Sequence, residues 1–282
     1  MELAPKLERL RAILAELPSA LVAYSGGVDS TFLLRVAHEV LGPRCTALTT
    51  VSPTTPEDDL VQATALAATL GVAHLVLDTN ELDIPGYAEN PTNRCYFCKE
   101  NLFTLCAAEA DRLGLAVVLD GANLDDLGDH RPGLEAAAER AVRHPLVEAG
   151  LSKADIRAVG LPTWDRPASP CLSSRFPYGT RITAERLQRV AAAEAFLRRR
   201  GFRELRVRFH DRVARIEVPL DEMPRLLEPG TREDVVRELR RLGFSYVALD
   251  LQGFRSGSLN EPLGTPETRG AGGIDPPAPR IR

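Results

Sequence analysis

The segment SGGVDS at residues 25–30 combines the residue types of a phosphate-binding loop. Glycines permit positive φ angles and a close approach of the backbone to an anion, and serine hydroxyls donate hydrogen bonds. A carboxylate in such a loop can act through Mg²⁺ or cap a helix. The residues concerned are Ser25, Gly26, Gly27, Asp29 and Ser30. The alternative is a strand-to-helix turn that is rich in small residues by chance.

The same segment lacks the Gly-Lys-Ser/Thr ending of a Walker A motif. In Walker A proteins the lysine reaches the terminal phosphates of the nucleotide. Its absence argues against a kinase or a motor that cleaves the terminal phosphate.

Three of the five cysteines lie where a thiol could bind metal or take part in redox chemistry. Cys95 and Cys98 form a CxxC pair, which occurs in zinc half-sites, redox pairs and iron–sulfur sites, and no second CxxC completes a zinc site. Cys171 lies in a loop where a thiol gains nothing from core packing. Three such thiolates could hold a [4Fe–4S] cluster with one open iron. We expect Cys45 and Cys106 to be small buried side chains without a chemical role.

Polar residues that follow the predicted strands are candidates for a nucleotide site. Asp125, Asp126 and Asp129 come after the fourth strand, where they could bind Mg²⁺ or substrate. Turn and capping chemistry is the alternative for all three. Thr50 ends the second strand, and we expect it near the adenosine of a bound nucleotide.

Arginines form a second candidate group. Arg206 and Arg208 alternate on one predicted strand and therefore project to the same face. Arg255 lies in a glycine- and serine-rich loop that could join them around a phosphate of the substrate. Residues 175–215 contain twelve arginines against four acidic residues, which also indicates a bound anion. Exposed strand arginines that bind nothing are the alternative.

Short apolar strands alternate with helices through the first part of the chain. The predicted strands cover residues 20–24, 45–50, 73–77 and 116–120, with helices near 57–70 and 97–113. This alternation predicts an α/β fold with a doubly wound parallel sheet, whose ligands bind at the carboxyl ends of the strands. The stretch 161–179 holds four prolines and is predicted to be a long ordered loop.

The pattern changes near residue 180. We expect residues 1–180 to form the nucleotide-binding domain and residues 181–260 a smaller α+β domain that binds substrate or mediates oligomerisation. Residues 261–282 are rich in proline, glycine and arginine, and we expect a disordered tail. A homo-oligomer is expected, although the sequence does not give the number of subunits.

Composition limits the class of protein. A chain of 282 residues with 44% apolar content can bury a core and has room for two domains. No stretch approaches the roughly 18 apolar residues of a membrane span, and the first residues lack the apolar core of a signal peptide. We therefore expect a soluble, cytoplasmic protein. The net charge of −4 and the absence of a recognisable RNA-binding module argue against a nucleic-acid partner.

These motifs carry two levels of resemblance. The segment 25–30 resembles the loop of PP-loop ATP-pyrophosphatases, which grips the β,γ-pyrophosphate while a substrate oxygen attacks the α-phosphorus. Nearly the whole ordered chain resembles the LarE family, ATP-dependent sulfur transferases that help to make the nickel-pincer nucleotide cofactor. The matching segments include NRCYFCK at 93–99, DGANLDD at 120–126, PCLSSR at 170–175 and GFRSGSLN at 253–260. The last two are the most specific.

The resemblance implies a reaction and its cofactors, ATP and Mg²⁺. A carboxylate of pyridinium-3,5-biscarboxylic acid mononucleotide would be adenylated, and sulfur would then displace AMP. Because the CxxC pair is present, we expect Cys95, Cys98 and Cys171 to hold a [4Fe–4S] cluster that takes up sulfide from a donor. Sacrifice of the sulfur of Cys171 is the alternative. The resemblance also marks three accessory positions, Ser174, Glu194 and Glu217. It implies that the two glutamates lie near a metal.

Three other functions share parts of this pattern. A tRNA thiolation enzyme also combines a PP-loop with cysteines, and the arginine-rich domain could contact RNA. An ammonia-using synthetase would explain the loop but leave three cysteines idle. A non-enzymatic nucleotide-binding regulator would bind AMP tightly and release no pyrophosphate.

Overall fold

The computed structural model describes residues 2–128, 132–160, 170–255 and 257–263. The chain divides into two compact units, Met1–Ala192 and Ala193–Arg282. The division falls inside a helix, whereas the sequence predicted a boundary near residue 180. The expected tail begins with residues that belong to a short 3-10 helix, Ser258–Leu263, and its remainder lies outside the described residues.

The first unit is built on a four-stranded parallel sheet, which confirms the predicted α/β fold. The strands are arranged in the order β3-β2-β1-β4, with β1 Ala20–Ala23, β2 Cys45–Val51, β3 Ala73–Asp78 and β4 Val117–Leu119. Its helices are α1 Leu3–Ala15, α2 Val28–Leu41, α3 Glu57–Leu70, α4 Arg94–Leu113, α5 Pro132–Glu139, α6 Pro145–Glu148 and α7 Lys153–Ala158. Helix α8, Ala184–Arg199, crosses the division between the units.

The sheet carries a hydrophobic core on each face. Ala20 and Val22 of β1 pack with α1, α2 and α7, while Leu21 and Ala23 pack with α4 and α5. Successive side chains of a strand point to opposite faces, so a strand that is buried on both faces is apolar throughout. All four residues of β1 are buried, which explains why its sequence shows no polar alternation.

Cys45 and Cys106 belong to these two cores. Both side chains are buried, and burial raises the pKa of each thiol to about 12. Each thiol therefore stays neutral at physiological pH and packs as a small apolar group, as the sequence predicted.

The second unit contains a three-stranded mixed sheet in the order β5-β6-β7. The strands are β5 Arg206–His210, β6 Val213–Glu217 and β7 Tyr246–Leu249, and the helices are α9 Met223–Leu227 and α10 Pro229–Arg241. Strands β5 and β6 form an antiparallel hairpin, and β6 pairs with β7 in parallel. A two-residue turn joins the hairpin, and its first residue, Asp211, has φ of 54°. Among the described residues of both units, no helix is long and apolar enough to cross a membrane.

Candidate active site

The predicted phosphate loop joins the carboxyl end of β1 to the first turn of α2. Gly27 caps α2, and the free N–H groups of the first helical turn point into the loop, where the helix dipole favours an anion. Gly26 has φ of 70°, and a Cβ atom added there would lie 2.7 Å from Cβ of Ala63 on α3. Only glycine fits both constraints, so this position fixes the course of the loop.

The two serines of the loop are bonded to each other. Ser25 Oγ lies 3.1 Å from Ser30 Oγ, and the amide of Ser25 donates to Ser30 Oγ at 3.3 Å. Ser30 Oγ lies 3.3 Å from the carbonyl of Gly27 and can donate to it. The hydroxyls therefore hold the loop in shape and lie beside the N-terminus of α2. A Cβ atom added to Gly121, which follows β4, would lie 2.9 Å from the Ser30 amide nitrogen, so the two loops are in close contact.

Asp29, in the first turn of α2, belongs to a cluster of acidic and basic side chains. Lys153 Nζ is 3.6 Å from Asp29 Oδ2, while Asp29 Oδ1 is buried and has no hydrogen-bond partner among the described residues. Burial raises the pKa of Asp29, Lys153 opposes that rise, and the charge of Asp126 adds to it. A carboxylate with an unsatisfied buried oxygen is suited to bind a cation.

Asp125 and Asp126 belong to the same cluster. Asp125 Oδ2 accepts from the amide of Lys153 at 2.6 Å, and Asp126 Oδ2 accepts from the amide of Asn123 at 3.0 Å. These are the turn and capping bonds of the alternative interpretation, yet both residues lie in the loop beside Asp29. Asp129 lies outside the described residues. Sequence reasoning missed Lys153, because only the folded chain brings it next to Asp29.

Thr50 lies at the carboxyl end of β2, next to β1, as the sequence predicted. It is half-buried and pairs with Leu77 of β3. Its neighbour Thr49 donates to the carbonyl of Tyr24, at the start of the phosphate loop, at 2.6 Å. Thr50 therefore lies on the same edge of the sheet as the phosphate loop.

The three candidate thiols lie in one neighbourhood of the first unit. Cys95 and Cys98 are three residues apart at the start of α4 and share a helix face, and Cys171 caps the short 3-10 helix Leu172–Arg175. Burial raises the pKa of Cys98, and the neighbouring charges of Cys171, Glu81 and Cys95 raise it further. Each thiol therefore lies within the electrostatic field of another.

The thiols do not form a complete metal site in this conformation. Across residues 2–128, 132–160, 170–255 and 257–263, no group of three His, Cys, Asp or Glu side chains is close enough together to hold a metal ion. Cys95 is exposed, while Cys98 and Cys171 are half-buried. The donor atoms suit an iron–sulfur cluster in type and in neighbourhood, but ligation would require them to move closer together.

Two buried polar side chains hold the loop that carries Cys171. Arg94 is 3% exposed and donates to the carbonyl of Ser173 at 2.8 Å, and the hydroxyl of Tyr87 is bonded to Ser173 Oγ at 2.8 Å. Burial opposes the charge of Arg94, but the nearby thiols of Cys171 and Cys95 raise its pKa overall. A buried, charged guanidinium therefore lies near these thiols and bonds to the loop that carries Cys171.

Asn90 and Arg175 complete this support. The amide of Asn90 donates to the carbonyls of Phe176 and Pro177 at 3.2 and 2.8 Å, and Asn90 itself has φ of 57°. Arg175 is fully buried and donates to the carbonyl of Pro170 at 2.7 Å and to Ser174 Oγ at 2.9 Å. Ser174, predicted as accessory, is thus bonded within the loop.

The predicted arginine group lies in the second unit. Arg206 and Arg208 are buried on one face of β5, and Arg208 forms two bonds of 2.9 Å to the carboxylate of Glu217. The guanidinium of Arg206 lies 5.0 Å from the ring centre of Phe254, and Arg208 donates to Ser258 Oγ at 2.7 Å. The residues on either side of Arg255 therefore contact side chains of β5, and their role in binding a phosphate stays a prediction.

Other groups of the protein already contact several of these residues. Arg255 forms two bonds, of 2.9 and 3.0 Å, to Glu261. Glu194 is fully buried, accepts from the amide of Val207 at 3.0 Å and pairs with Arg198 at 2.9 Å. The two predicted glutamates thus bond to protein donors in this conformation, and their role near a metal stays a prediction.

Comparison with known proteins gives matches over a large part of the chain. A family profile described as NAD synthase matches residues 10–103, which include the phosphate loop and the CxxC pair. The pyridinium-3,5-bisthiocarboxylic acid mononucleotide synthase of Lactiplantibacillus plantarum is 40% identical over 266 residues, covering 93% of this chain and 96% of that protein.

Two relatives without an assigned function are also similar. An uncharacterized protein of Synechocystis is 48% identical over 265 residues, with 93% of this chain and 99% of that protein covered. An uncharacterized protein of Methanocaldococcus jannaschii is 30% identical over 238 residues, with 84% and 90% covered.

The parallel sheet, the glycine- and serine-rich loop before α2 and the NAD synthase match define an ATP-using enzyme of the PP-loop class. The match to the Lactiplantibacillus plantarum synthase, which covers nearly the full length of both chains, identifies the family within this class. The chain belongs to the LarE family and is an ATP-dependent sulfurtransferase.

Proposed function

We propose that the protein adenylates a carboxylate of pyridinium-3,5-biscarboxylic acid mononucleotide and then replaces AMP with sulfur. One observation carries the proposal. The amide of Leu172, next to Cys171, donates to the carbonyl of Thr54 at 2.8 Å, just beyond the carboxyl end of β2. The neighbouring strand β1 continues into the phosphate loop, so the thiol loop and the phosphate loop occupy the same edge of the sheet.

The first step activates a poor electrophile. A carboxylate oxygen of the substrate attacks the α-phosphorus of ATP, the bond to the β,γ-pyrophosphate breaks, and an acyl-adenylate forms. The amides at the start of α2 and the hydroxyls of Ser25 and Ser30 would bind the leaving pyrophosphate. Asp29, whose buried Oδ1 has no hydrogen-bond partner among the described residues, would bind the Mg²⁺ that neutralises the charge of the pyrophosphate. Asp125 and Asp126 would complete the site together with phosphate oxygens of ATP, which requires the carboxylates to move closer together than in this conformation.

The second step transfers sulfur. In the sacrificial route, the Cys171 thiolate attacks the acyl carbon and AMP leaves with the electron pair of the broken bond. Loss of the Cα proton of Cys171 and cleavage of its Cβ–Sγ bond then release the thiocarboxylate and leave dehydroalanine. Arg94 would position Cys171 for this step, because it donates to the carbonyl of Ser173 in the same loop.

We propose the cluster route as the preferred source of sulfur. Cys95, Cys98 and Cys171 would hold [4Fe–4S], which supplies an iron without a protein ligand where sulfide can bind. The electrostatic interaction of Cys98 with Cys171 and with Cys95, and the buried guanidinium of Arg94 near two of the thiols, support this assignment. Arg206, Arg208 and Arg255 are proposed to bind the phosphate of the substrate, supported by the shared face of β5.

Product analysis tests the proposed function. Anaerobic enzyme reconstituted with iron and sulfide should convert the mononucleotide and ATP to thiocarboxylate, AMP and pyrophosphate. Asp29→Ala should abolish pyrophosphate release, whereas Asp58→Ala, which changes an exposed carboxylate on α3, should preserve it. Orthophosphate as the primary product from enzyme free of pyrophosphatase would refute the adenylation step.

Polypeptide mass distinguishes the two sources of sulfur. The cluster route predicts several turnovers and an unchanged mass after reaction. The sacrificial route predicts one sulfur per chain and a loss of H₂S localised to Cys171. Cys171→Ala should abolish thiocarboxylate formation in both routes, and the matched variant Cys45→Ala should keep it, because Cys45 is a core residue.

A further inference from the structure

Asp120 is buried, His144 is half-buried, and the two side chains form a pair at the carboxyl end of β4, next to the proposed nucleotide site. His144 Nδ1 donates to Asp120 Oδ1 at 2.5 Å. The backbones of the two segments are also hydrogen-bonded. The amide of Asp120 donates to the carbonyl of Arg143 at 3.1 Å, and Leu119 and Arg143 form a parallel β-bridge. His144 thus lies beside the residue at which β4 enters the loop 120–126.

Asp120 is the first residue of that loop and helps to set its course. Its Oδ1 atom also accepts from the amide of Ala122 at 3.1 Å, so one carboxylate oxygen binds both the loop and His144. Gly121, which lies between Asp120 and Ala122 in the chain, packs against the backbone of Ser30. A displacement of Asp120 would therefore move the surface against which the phosphate loop rests.

The far end of the same loop carries the acidic residues proposed to hold Mg²⁺. Asn123 is 1% exposed and bonds both to Asp126 and to the amide of Asp125. Asp125 continues the chain of bonds to the amide of Lys153, whose ammonium group faces Asp29. Continuous hydrogen bonds and packing therefore connect His144 to both sides of the proposed pyrophosphate site.

Charged groups from three elements face His144. They are Asp120 at the end of β4, Glu148 on α6 and Lys99 on α4. The hydrogen bond to Asp120 raises the pKa of His144 above its ordinary value of 6.5, against the effect of burial. Burial opposes the charge of Asp120, but the bond from His144 and the charge of Lys99 lower its pKa overall. Cys106, whose thiol is neutral, is the other titratable group near Asp120.

We propose that His144 is a positioning residue that acts through Asp120 and makes the affinity for ATP·Mg²⁺ depend on its own protonation. The inference rests on the proposed binding of ATP at the phosphate loop. A charged imidazole holds Asp120 with a charge-assisted hydrogen bond, and a neutral imidazole holds it with a weaker one. Stabilisation from the charged pair is complete below the ordinary pKa of 6.5, where Asp120 is ionised, and is lost as the pH rises through the raised pKa of His144.

Equilibrium binding of α,β-methylene-ATP with Mg²⁺ tests this inference in the full chain. From about pH 6 to about pH 9, the affinity of the wild type should fall by roughly five-fold more than that of His144→Asn. Asparagine keeps a neutral donor near the position of Nδ1 and does not titrate. The titration of the nucleotide is common to both proteins and cancels in their ratio. His144→Ala should bind roughly ten-fold more weakly than the wild type at the acidic end.

His38→Asn is the matched control. His38 lies at the far end of α2, half-buried, with its Nδ1 atom 3.1 Å from the carbonyl of Gly42. The affinity of the His38→Asn variant for α,β-methylene-ATP should equal that of the wild type at every pH. A ratio of wild type to His144→Asn that stays constant with pH would overturn the role of His144 while leaving ATP binding intact. Absence of binding in the wild type at every pH would instead overturn the proposed nucleotide site and this inference with it.

Discussion

The contact between Gly26 and α3 leads to a quantitative prediction. Gly26 and Gly71 both have φ of 70°, so alanine at either position adopts a left-handed conformation that costs roughly 1 to 2 kcal/mol. The two sites differ in space, because a Cβ atom at Gly71 meets nothing within 4 Å whereas one at Gly26 meets Ala63 at 2.7 Å. Overpacking of this kind adds roughly 1 to 3 kcal/mol.

We therefore expect Gly26→Ala to lower the free energy of unfolding by about 2 to 5 kcal/mol and Gly71→Ala by about 1 to 2 kcal/mol. Urea unfolding of both variants measures the difference. Gly26→Ala should also weaken the binding of an ATP analogue, because the displaced loop loses its anion-binding shape, whereas Gly71→Ala should bind normally.

A second substitution tests whether the overlap is the cause. Ala63→Gly removes the Cβ atom from the contact and by itself costs about 1 kcal/mol as a helix glycine. Combined with Gly26→Ala, it should recover part of the lost stability, since Cα of residue 63 still lies 3.0 Å from the added atom. Equal stability losses in Gly26→Ala and Gly71→Ala, or no coupling between residues 26 and 63, would refute the reasoning.

Three further predictions concern other parts of the molecule. Arg206→Ala should weaken binding of the mononucleotide by about ten-fold and leave ATP affinity unchanged; titration calorimetry measures both, and an equal loss of ATP affinity would place the phosphate elsewhere. Cys95→Ala combined with Cys98→Ala should remove bound iron and multiple turnover, as metal analysis and product counts would reveal; intact multiple turnover would exclude the three-cysteine cluster. Hydrogen bonds from Lys6 and Ser152 lower the pKa of Asp155 to about 2, so its stabilising effect is complete above the ordinary value of 3.8 and is lost as the pH falls towards 2. Asp155→Asn should therefore lower the urea midpoint at neutral pH, and a difference from wild type that is undiminished at about pH 2 would contradict this.

Local sequence signals predicted the elements of the fold well. The apolar run at 20–24 became β1, buried on both faces, and the strand predicted at 45–50 became β2, Cys45–Val51. Helix α4 begins at Arg94, earlier than the predicted residue 97, because the CxxC segment belongs to its first turns. Apolar periodicity does not mark that start, since Arg94, Cys95 and Cys98 interrupt the apolar pattern there.

Long-range contacts of the site could not be predicted in the same way. Lys153 faces Asp29, and Arg94 binds the carbonyl of Ser173, although 79 residues separate that second pair in the chain. No local pattern specifies such a contact, because it depends on which loops the parallel sheet brings to one edge. His144 and Asp120 are 24 residues apart in the chain, and only the folded structure brings their side chains together.

The fully buried side chain of Asn90 has a consequence for how the protein folds. It joins the segment before α4 to Phe176 and Pro177, a closure of 86 residues, and its own carbonyl accepts from Gly179. Contacts so distant in sequence form late, because the entropy of closing the intervening chain must be overcome first. During synthesis, the CxxC pair therefore leaves the ribosome long before the loop that carries Cys171. The loop that carries Cys171 can therefore reach its place beside the start of α4 only after the ribosome has made the chain past Gly179.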